Sequence, residues 1–213
     1  MKKSYLFDFD GTLVDSMPTF IAMMLKILDE RGIKYDNSIL KTITPLGYLG
    51  TAEYYRSELG IKATPEDLIE EMNTLALDAY AKIIPAKAGV IDTLTELKAQ
   101  GADLNVLTAS PHLILDPCFK RLGIFDLFTN VWSCDDFKTT KANPDIYRMA
   151  AEKMNARVES VIFVDDNPNA IKTARIAGMK VYGIYDASSE EYVDEMKRIS
   201  DRYLTSFAEL LDE

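Results

Sequence analysis

The sequence has 213 residues, enough for one sizeable hydrophobic core and a small second unit. Hydrophobic residues make up 47 %, which excludes a disordered chain. Lys and Arg number 24 against 34 Asp and Glu, a formal net charge of −10. That balance argues against nucleic-acid and anionic-membrane partners, and it makes any phosphate site depend on local positive charge from a metal or a lysine.

The first predicted element is a short strand. Tyr5-Leu6-Phe7 runs into Asp8, and Asp10, Gly11 and Thr12 follow. On a strand Asp8 and Asp10 share one face, because the side-chain period is two. Two neighbouring anions are costly unless a cation or a proton offsets them, so the pair points to a metal site with acid chemistry. From about Ser16 to Lys87 the pattern is helical. Phe20, Met24 and Leu28 recur every four residues, and Gly32 closes that helix. A second helix is predicted over Thr51 to Leu59, ending at Gly60. A third opens at Thr64-Pro65 and runs to about Ile83.

Beyond this insert, strands and helices alternate. The pattern predicts a helix over Val90–Ala99, a strand over Leu104–Thr108 and a weaker strand over Phe128–Ser133, which carries Trp132 as a core residue. A helix over Pro144–Asn155, a buried strand over Val161–Val164 and a helix over Pro168–Ala177 stopped by Gly178 come next. A strand over Lys180–Tyr185 follows, and Ser188 to Glu191 reads as a capping box opening another helix. Such alternation predicts an α/β fold with a doubly wound parallel sheet, whose ligands sit outside the carboxyl ends of the strands. Cys118 and Cys134 form no C-x-x-C pair and are expected as reduced thiols. Met1-Lys2-Lys3 is followed by only a few apolar residues before Asp8, and no run approaches membrane-spanning length. A cytoplasmic location without membrane contact is therefore expected.

Four strings fall at the predicted strand ends in order: Asp8-Phe9-Asp10-Gly11-Thr12, Leu107-Thr108-Ala109-Ser110, Lys141-Ala142-Asn143-Pro144-Asp145-Ile146-Tyr147, and Val164-Asp165-Asp166-Asn167-Pro168. Together they resemble the motifs of the haloacid dehalogenase-like (HAD) superfamily, in the subfamily with a helical cap between the first two motifs. The resemblance spans nearly the whole chain. It implies a Rossmann-like catalytic core over 1–15 and 88–213 and an inserted all-helical cap domain over 16–87. It also implies a magnesium-dependent phosphatase that hydrolyses small phosphate monoesters through a phosphoaspartate, with phosphoglycolate phosphatases as relatives in layout.

By that resemblance Asp8 is the nucleophile and Asp10 the general acid and base, with the Asp10 carbonyl as a magnesium ligand. Thr12, Thr108, Ala109 and Lys141 are expected to contact substrate. Asp8 and Asp166 are expected to hold Mg2+ directly, with Asp165 as a water-mediated or outer partner. The family's usual G-D-x-x-x-D is changed here, with Asp165 at the glycine position and Ala170 at that of the later aspartate. Lys138 competes with Lys141, but only Lys141 has the right spacing to Pro144. An Asp at residue 10 argues against dehalogenation, which has no ester oxygen to protonate.

Beyond the motifs, the loop Thr44-Pro45-Leu46-Gly47-Tyr48-Leu49-Gly50-Thr51 reads as a turn in the cap with Tyr48 as a substrate contact, or else as a plain helix connection. His112, the sole histidine, is read as a surface or loop residue, with a leaving-group contact as the alternative. The acidic ending Glu209 to Glu213 reads as a solvated helix end. The rival enzyme reading is a β-phosphoglucomutase-like sugar phosphate mutase. Against it, the mutase branch carries a cap histidine where this chain has Phe20, and usually lacks a threonine at the position of Thr12. A retired, non-catalytic scaffold is opposed by the intact Asp8, Asp10, Lys141 and Asp166. The expected partner is a small phosphorylated metabolite, and monomer and homodimer both remain open.

Overall fold

A computed structural model describes residues 3–36, 38–43 and 46–212. Thr44 and Pro45 of the expected cap loop, Glu213 of the acidic ending, and Met1 and Lys2 lie outside the described residues. The chain divides into two compact units, residues 1–15 with 85–213, and residues 16–84. Among the described residues, no helix is long and apolar enough to cross a membrane.

The first unit holds six parallel strands: β1 (Ser4–Phe7), β2 (Asp103–Thr108), β3 (Asn130–Ser133), β4 (Val161–Asp165), β5 (Lys180–Ile184) and β6 (Arg202–Leu204). Their order is β3-β2-β1-β4-β5-β6, so β1 lies between β2 and β4. Phe7 is in register with Val106 on one side and Val164 on the other. The chain order reverses between β1 and β4, the place where open α/β sheets leave a crevice for ligands. Both faces of the sheet are covered, which is why β2 and β4 are buried along their whole length. Leu6, Phe163 and Val181 pack with Ile146, Tyr147, Ile171, Ala174 and Met196 on one face. On the other, Phe7 meets Phe128 and Phe207, and Phe9 meets Phe119.

The helices of this unit are α5 (Val90–Ala99), α6 (His112–Leu122), α7 (Asp145–Lys153), α8 (Pro168–Ala177) and α9 (Val193–Ile199). The parallel, doubly wound fold matches the expectation from alternation. Three details differ. Helix α6 was not expected, because Pro111 and Pro117 make its sequence read as loop; Pro117 is nonetheless accommodated inside it. Ser188 does not open the helical segment that follows β5. Asp186 does, accepting a hydrogen bond from the Ser188 N–H to start a short 3-10 turn over Ala187–Tyr192. The end of the chain is a 3-10 segment, Phe207–Leu211, whose Phe207 and Leu210 are buried rather than solvated.

The second unit contains α1 (Met17–Asp29), α2 (Ile39–Ile43), α3 (Gly47–Ser57) and α4 (Pro65–Lys82). Met24, Ile27, Leu28, Ala52, Tyr55, Leu68 and Met72 are buried. The Tyr55 hydroxyl donates to the Met24 carbonyl at 2.9 Å. Arg31 on the α1 side grips Glu71 of α4 through two hydrogen bonds, 2.9 and 2.6 Å. Helix α4 starts at the predicted point, with Thr64 and Asp67 in a reciprocal capping box. The expected Gly-Tyr-Leu-Gly turn is overturned, because Gly47 to Gly50 form the first turn of α3. Gly50 does not use a left-handed conformation, and Tyr48 stacks on Phe20 with ring centroids 5.8 Å apart, which suits a helical surface rather than a turn.

Candidate active site

The site forms where β1, β2 and β4 end. Strand β1 stops at Phe7, and the next residue, Asp8, still donates its N–H to the Val164 carbonyl of β4 at 2.9 Å. The chain then doubles back. Leu13 and Val14 donate to the Phe9 carbonyl, and Gly11 donates to Val14. Gly11 has φ +78°, and a Cβ there would lie 2.6 Å from an Asp166 carboxylate oxygen, so this turn admits only glycine.

Asp165 ends β4 and Asp166 follows it. Carboxylate oxygens of Asp8, Asp165 and Asp166 lie within 4.8 Å of one another, and all three residues are buried. Lys141 forms ion pairs with Asp8 and with Asp165, the latter at 2.9 Å. Asp165 also accepts the Asn167 N–H at 2.7 Å, so both of its oxygens have partners. The Thr12 hydroxyl donates to Asp166 at 2.9 Å, and the Ser189 hydroxyl lies 3.3 Å from the other Asp166 oxygen.

Burial first, and then the neighbouring Asp165 and Asp166 charges, push the Asp8 carboxyl well above its ordinary range, with Lys141 opposing them. Burial, Asp165 and Asp186 push Asp166 up to about 7. Burial also opposes the Lys141 charge, but Asp165 and Asp8 outweigh it and hold the ammonium above its ordinary value. Three carboxylates against one ammonium leave two excess negative charges when all are ionised. Oxygen donors with that excess fit one hard divalent cation.

Lys141 is set by the loop before α7. The Tyr147 hydroxyl reaches the Lys141 carbonyl at 3.2 Å and the Ala170 carbonyl at 3.3 Å, and the Lys141 ammonium sits 5.6 Å from the centre of the Phe163 ring. Lys138, the rejected alternative, is exposed at the end of a 3-10 turn. Asp10 accepts the Ser110 hydroxyl at 2.6 Å. Thr108, at the end of β2, accepts the Ser110 N–H at 3.0 Å, which leaves its own hydroxyl proton free to donate.

A cavity of about 380 Å³ opens here, lined by Asp8, Asp10, Thr108, Ala109, Lys141 and a polar rim that includes Asn167 and Asn169. Of the residues expected from sequence, the structure brings Asp8, Asp10, Thr108, Ala109 and Lys141 to this cavity and clusters Asp165 and Asp166 with Asp8. Thr12 is fully buried, with its hydroxyl on Asp166. Tyr48 lies in the helical unit.

Sequence reasoning missed Ser110 as the partner of Asp10. It also missed Asn167, although an asparagine before Pro168 is a readable helix cap, and its side chain does accept the Asn169 N–H at 2.9 Å. His112 is not among the residues lining the cavity; it is half-exposed, with its ring nitrogens 2.9 Å from Asp116 and from Asp136. These contacts, led by Asp116, raise its pKa. Trp132 is only partly buried, packed edge-on against Phe137 at 5.6 Å. Both cysteines are buried and free.

Residues 5–184 match the family model described as haloacid dehalogenase-like hydrolase. The chain is similar to a phosphoglycolate phosphatase of Colwellia psychrerythraea, 27 % identical over 190 residues, covering 86 % of this chain and 84 % of the relative. It is also similar to a phosphorylated carbohydrates phosphatase of Thermotoga maritima, 22 % identical over 183 residues, with 85 % of each chain covered. Among solved structures, a candidate β-phosphoglucomutase from Thermotoga maritima shares the fold, with a TM-score of 0.84 at 20 % identity, covering 99 % of this chain and 97 % of that one.

Proposed function

The chain belongs to the haloacid dehalogenase-like hydrolases, and we propose that it is a magnesium-dependent phosphatase of small phosphate monoesters, working through a phosphoaspartate on Asp8. The observation that carries this reading is the clustering of the Asp8, Asp165 and Asp166 carboxylates, with Lys141 paired to Asp8 and Asp165, beside one cavity lined by Asp8, Asp10 and Lys141. Asp8, the Asp10 carbonyl and Asp166 would hold the magnesium ion. Asp165, whose oxygens already serve Lys141 and the Asn167 N–H, would act as an outer partner. When bound, magnesium would offset the carboxylate charge and draw electron density from the phosphoryl oxygens.

A carboxylate oxygen of Asp8 attacks phosphorus, and the bond from phosphorus to the leaving oxygen breaks. Asp10, in its acid form, gives its proton to that oxygen. Water then attacks the acyl phosphate and yields a proton to Asp10, and the phosphorus–Asp8 bond breaks to release phosphate. Lys141 and the Thr108 hydroxyl stabilise charge on the transferring group. The Ser110 hydroxyl orients Asp10 from just beyond the end of the neighbouring strand β2.

The test is a panel of phosphate esters with magnesium present. Free phosphate is expected from several small esters, 2-phosphoglycolate among them. Little conversion of β-glucose 1-phosphate to glucose 6-phosphate is expected, because a mutase must shield its acyl phosphate from water. Phe20, with its ring stacked on Tyr48, can neither take a proton nor hydrogen-bond to a sugar. Efficient isomerisation with slow phosphate release would reverse the two enzyme readings.

The helical unit is proposed to act as a cap that chooses the leaving group, with Tyr48 as a substrate contact. Tyr48→Ala is then expected to change the ratio of kcat/KM between two esters by about fivefold or more, a difference of about 1 kcal/mol. An equal change for every ester in the panel would remove Tyr48 from that role.

A further inference from the structure

Lys87 belongs to none of the motifs, yet its ammonium makes three hydrogen bonds within the sheet unit. It donates to the Gly11 carbonyl at 2.6 Å, to the Tyr185 carbonyl at 2.7 Å and to the Asp186 carboxylate at 2.8 Å. An ammonium has three protons, so each is used. The Lys87 side chain is 18 % exposed and that of Asp186 5 %. Its acceptors lie 76, 98 and 99 residues away along the chain.

Two of the segments tied by this nitrogen supply the surroundings of Asp166. Gly11 lies against the Asp166 carboxylate closely enough to exclude a Cβ. Thr12, the next residue, donates to Asp166. Asp186 caps the 3-10 turn that carries Ser189, whose hydroxyl faces the other Asp166 oxygen. Tyr185, the residue after β5, leads directly into that turn.

We propose that Lys87 and Asp186 are a positioning pair that fixes the ring of groups around Asp166 and so sets the affinity of the carboxylate cluster for a divalent cation. Neither residue is placed on substrate. The proposal rests on the metal reading given under the proposed function. Groups that orient a ligating carboxylate from behind typically change metal affinity 10- to 100-fold when removed.

Charge alone predicts the opposite sign. Removing a nearby positive charge lets the cluster attract a cation more strongly. Removing a positioning group loosens Gly11, Thr12 and Ser189 and weakens the site. Lys87→Met therefore separates the two effects by direction.

The experiment is calorimetric titration of magnesium into the full-length, chelator-stripped protein, with melting temperatures of the metal-free forms alongside. Lys87→Met is expected to bind magnesium roughly 10- to 100-fold more weakly than the unmodified protein. Lys87→Gln, which keeps two donors and serves if the methionine variant does not fold, is expected to fall between them. Unchanged or tighter magnesium binding in either folded variant would overturn the proposal while leaving the metal site itself intact. So would a loss of affinity present only where the metal-free variant is already partly unfolded at the assay temperature. Failure of the unmodified protein to bind magnesium would overturn the metal reading and this proposal together.

Discussion

Asp8→Asn is expected to lower turnover by at least about three orders of magnitude, a loss of about 4 kcal/mol of transition-state stabilisation. The amide keeps the shape of the carboxylate and removes the attacking charge, so the first displacement has no nucleophile. Folding should survive the change, and the electrostatics say why. The Asp8 carboxyl is raised because burial and the Asp165 and Asp166 charges disfavour its ionised form. A carboxyl whose folded-state pKa is raised holds its proton in the folded state after the unfolded chain has lost it, so ionising it at neutral pH costs stability. An uncharged amide escapes that cost, and Lys141 retains Asp165 as its ion-pair partner. The metal-free variant should therefore melt no lower than the unmodified protein at pH 7.5. Substantial phosphate release by a well-folded Asp8→Asn protein, measured against the same esters, would remove Asp8 from the nucleophile's place.

What could be read from the sequence, and what could not, follows from how far each signal travels along the chain. Asp8, Thr108 and Asp165 each close or follow an apolar run, so the strand and the polar residue at its end were legible together, and three such ends meet in the sheet. Lys141 was separable from Lys138 because Pro144 and Tyr147 fix a local register. Tyr147 does hydrogen-bond to the Lys141 carbonyl. Thr64-Pro65 carried its own cap, and α4 starts there.

The losses have equally definite causes. Pro111 and Pro117 masked α6, since proline is a strong local breaker that the helix accommodates at an exposed position. Two glycines made the start of α3 look like a turn, although both lie within the helix and Gly50 has no positive φ. Lys87 and Asp186 left no local trace at all. Their significance lies in contacts that only the closed fold creates, and a lone lysine after Pro85 reads as surface charge.

Stripping divalent cations with a chelator is expected to abolish turnover, and magnesium is expected to restore it. Calcium should support it poorly, because its larger and looser coordination misplaces the nucleophile. The same excess charge predicts how metal and pH act together on stability. Asp166 is pushed up to about 7 by burial, Asp165 and Asp186, while an unfolded aspartate titrates near 3.9. Between those values the folded, metal-free protein holds a proton that the unfolded chain has released. The folded state then binds more protons than the unfolded one, and stability falls as pH rises through that window. A cation among Asp8, Asp165 and Asp166 replaces the proton, so the stabilisation by magnesium should grow as pH rises from 5.5 to 8. Melting temperatures at those two pH values, with magnesium and with chelator, measure both slopes. Asp166→Asn should flatten the chelated slope, because the titrating carboxyl is gone, and should also lose most of the rise that magnesium produces. Full turnover in excess chelator, or a magnesium-induced rise in melting temperature that is the same at both pH values, would refute a metal held by these carboxylates. If Asp165→Ala damaged magnesium binding more than Asp166→Ala, the two aspartates would exchange roles. Asp165 would then have to turn at least one oxygen away from Lys141 or the Asn167 N–H, the two partners that now occupy them.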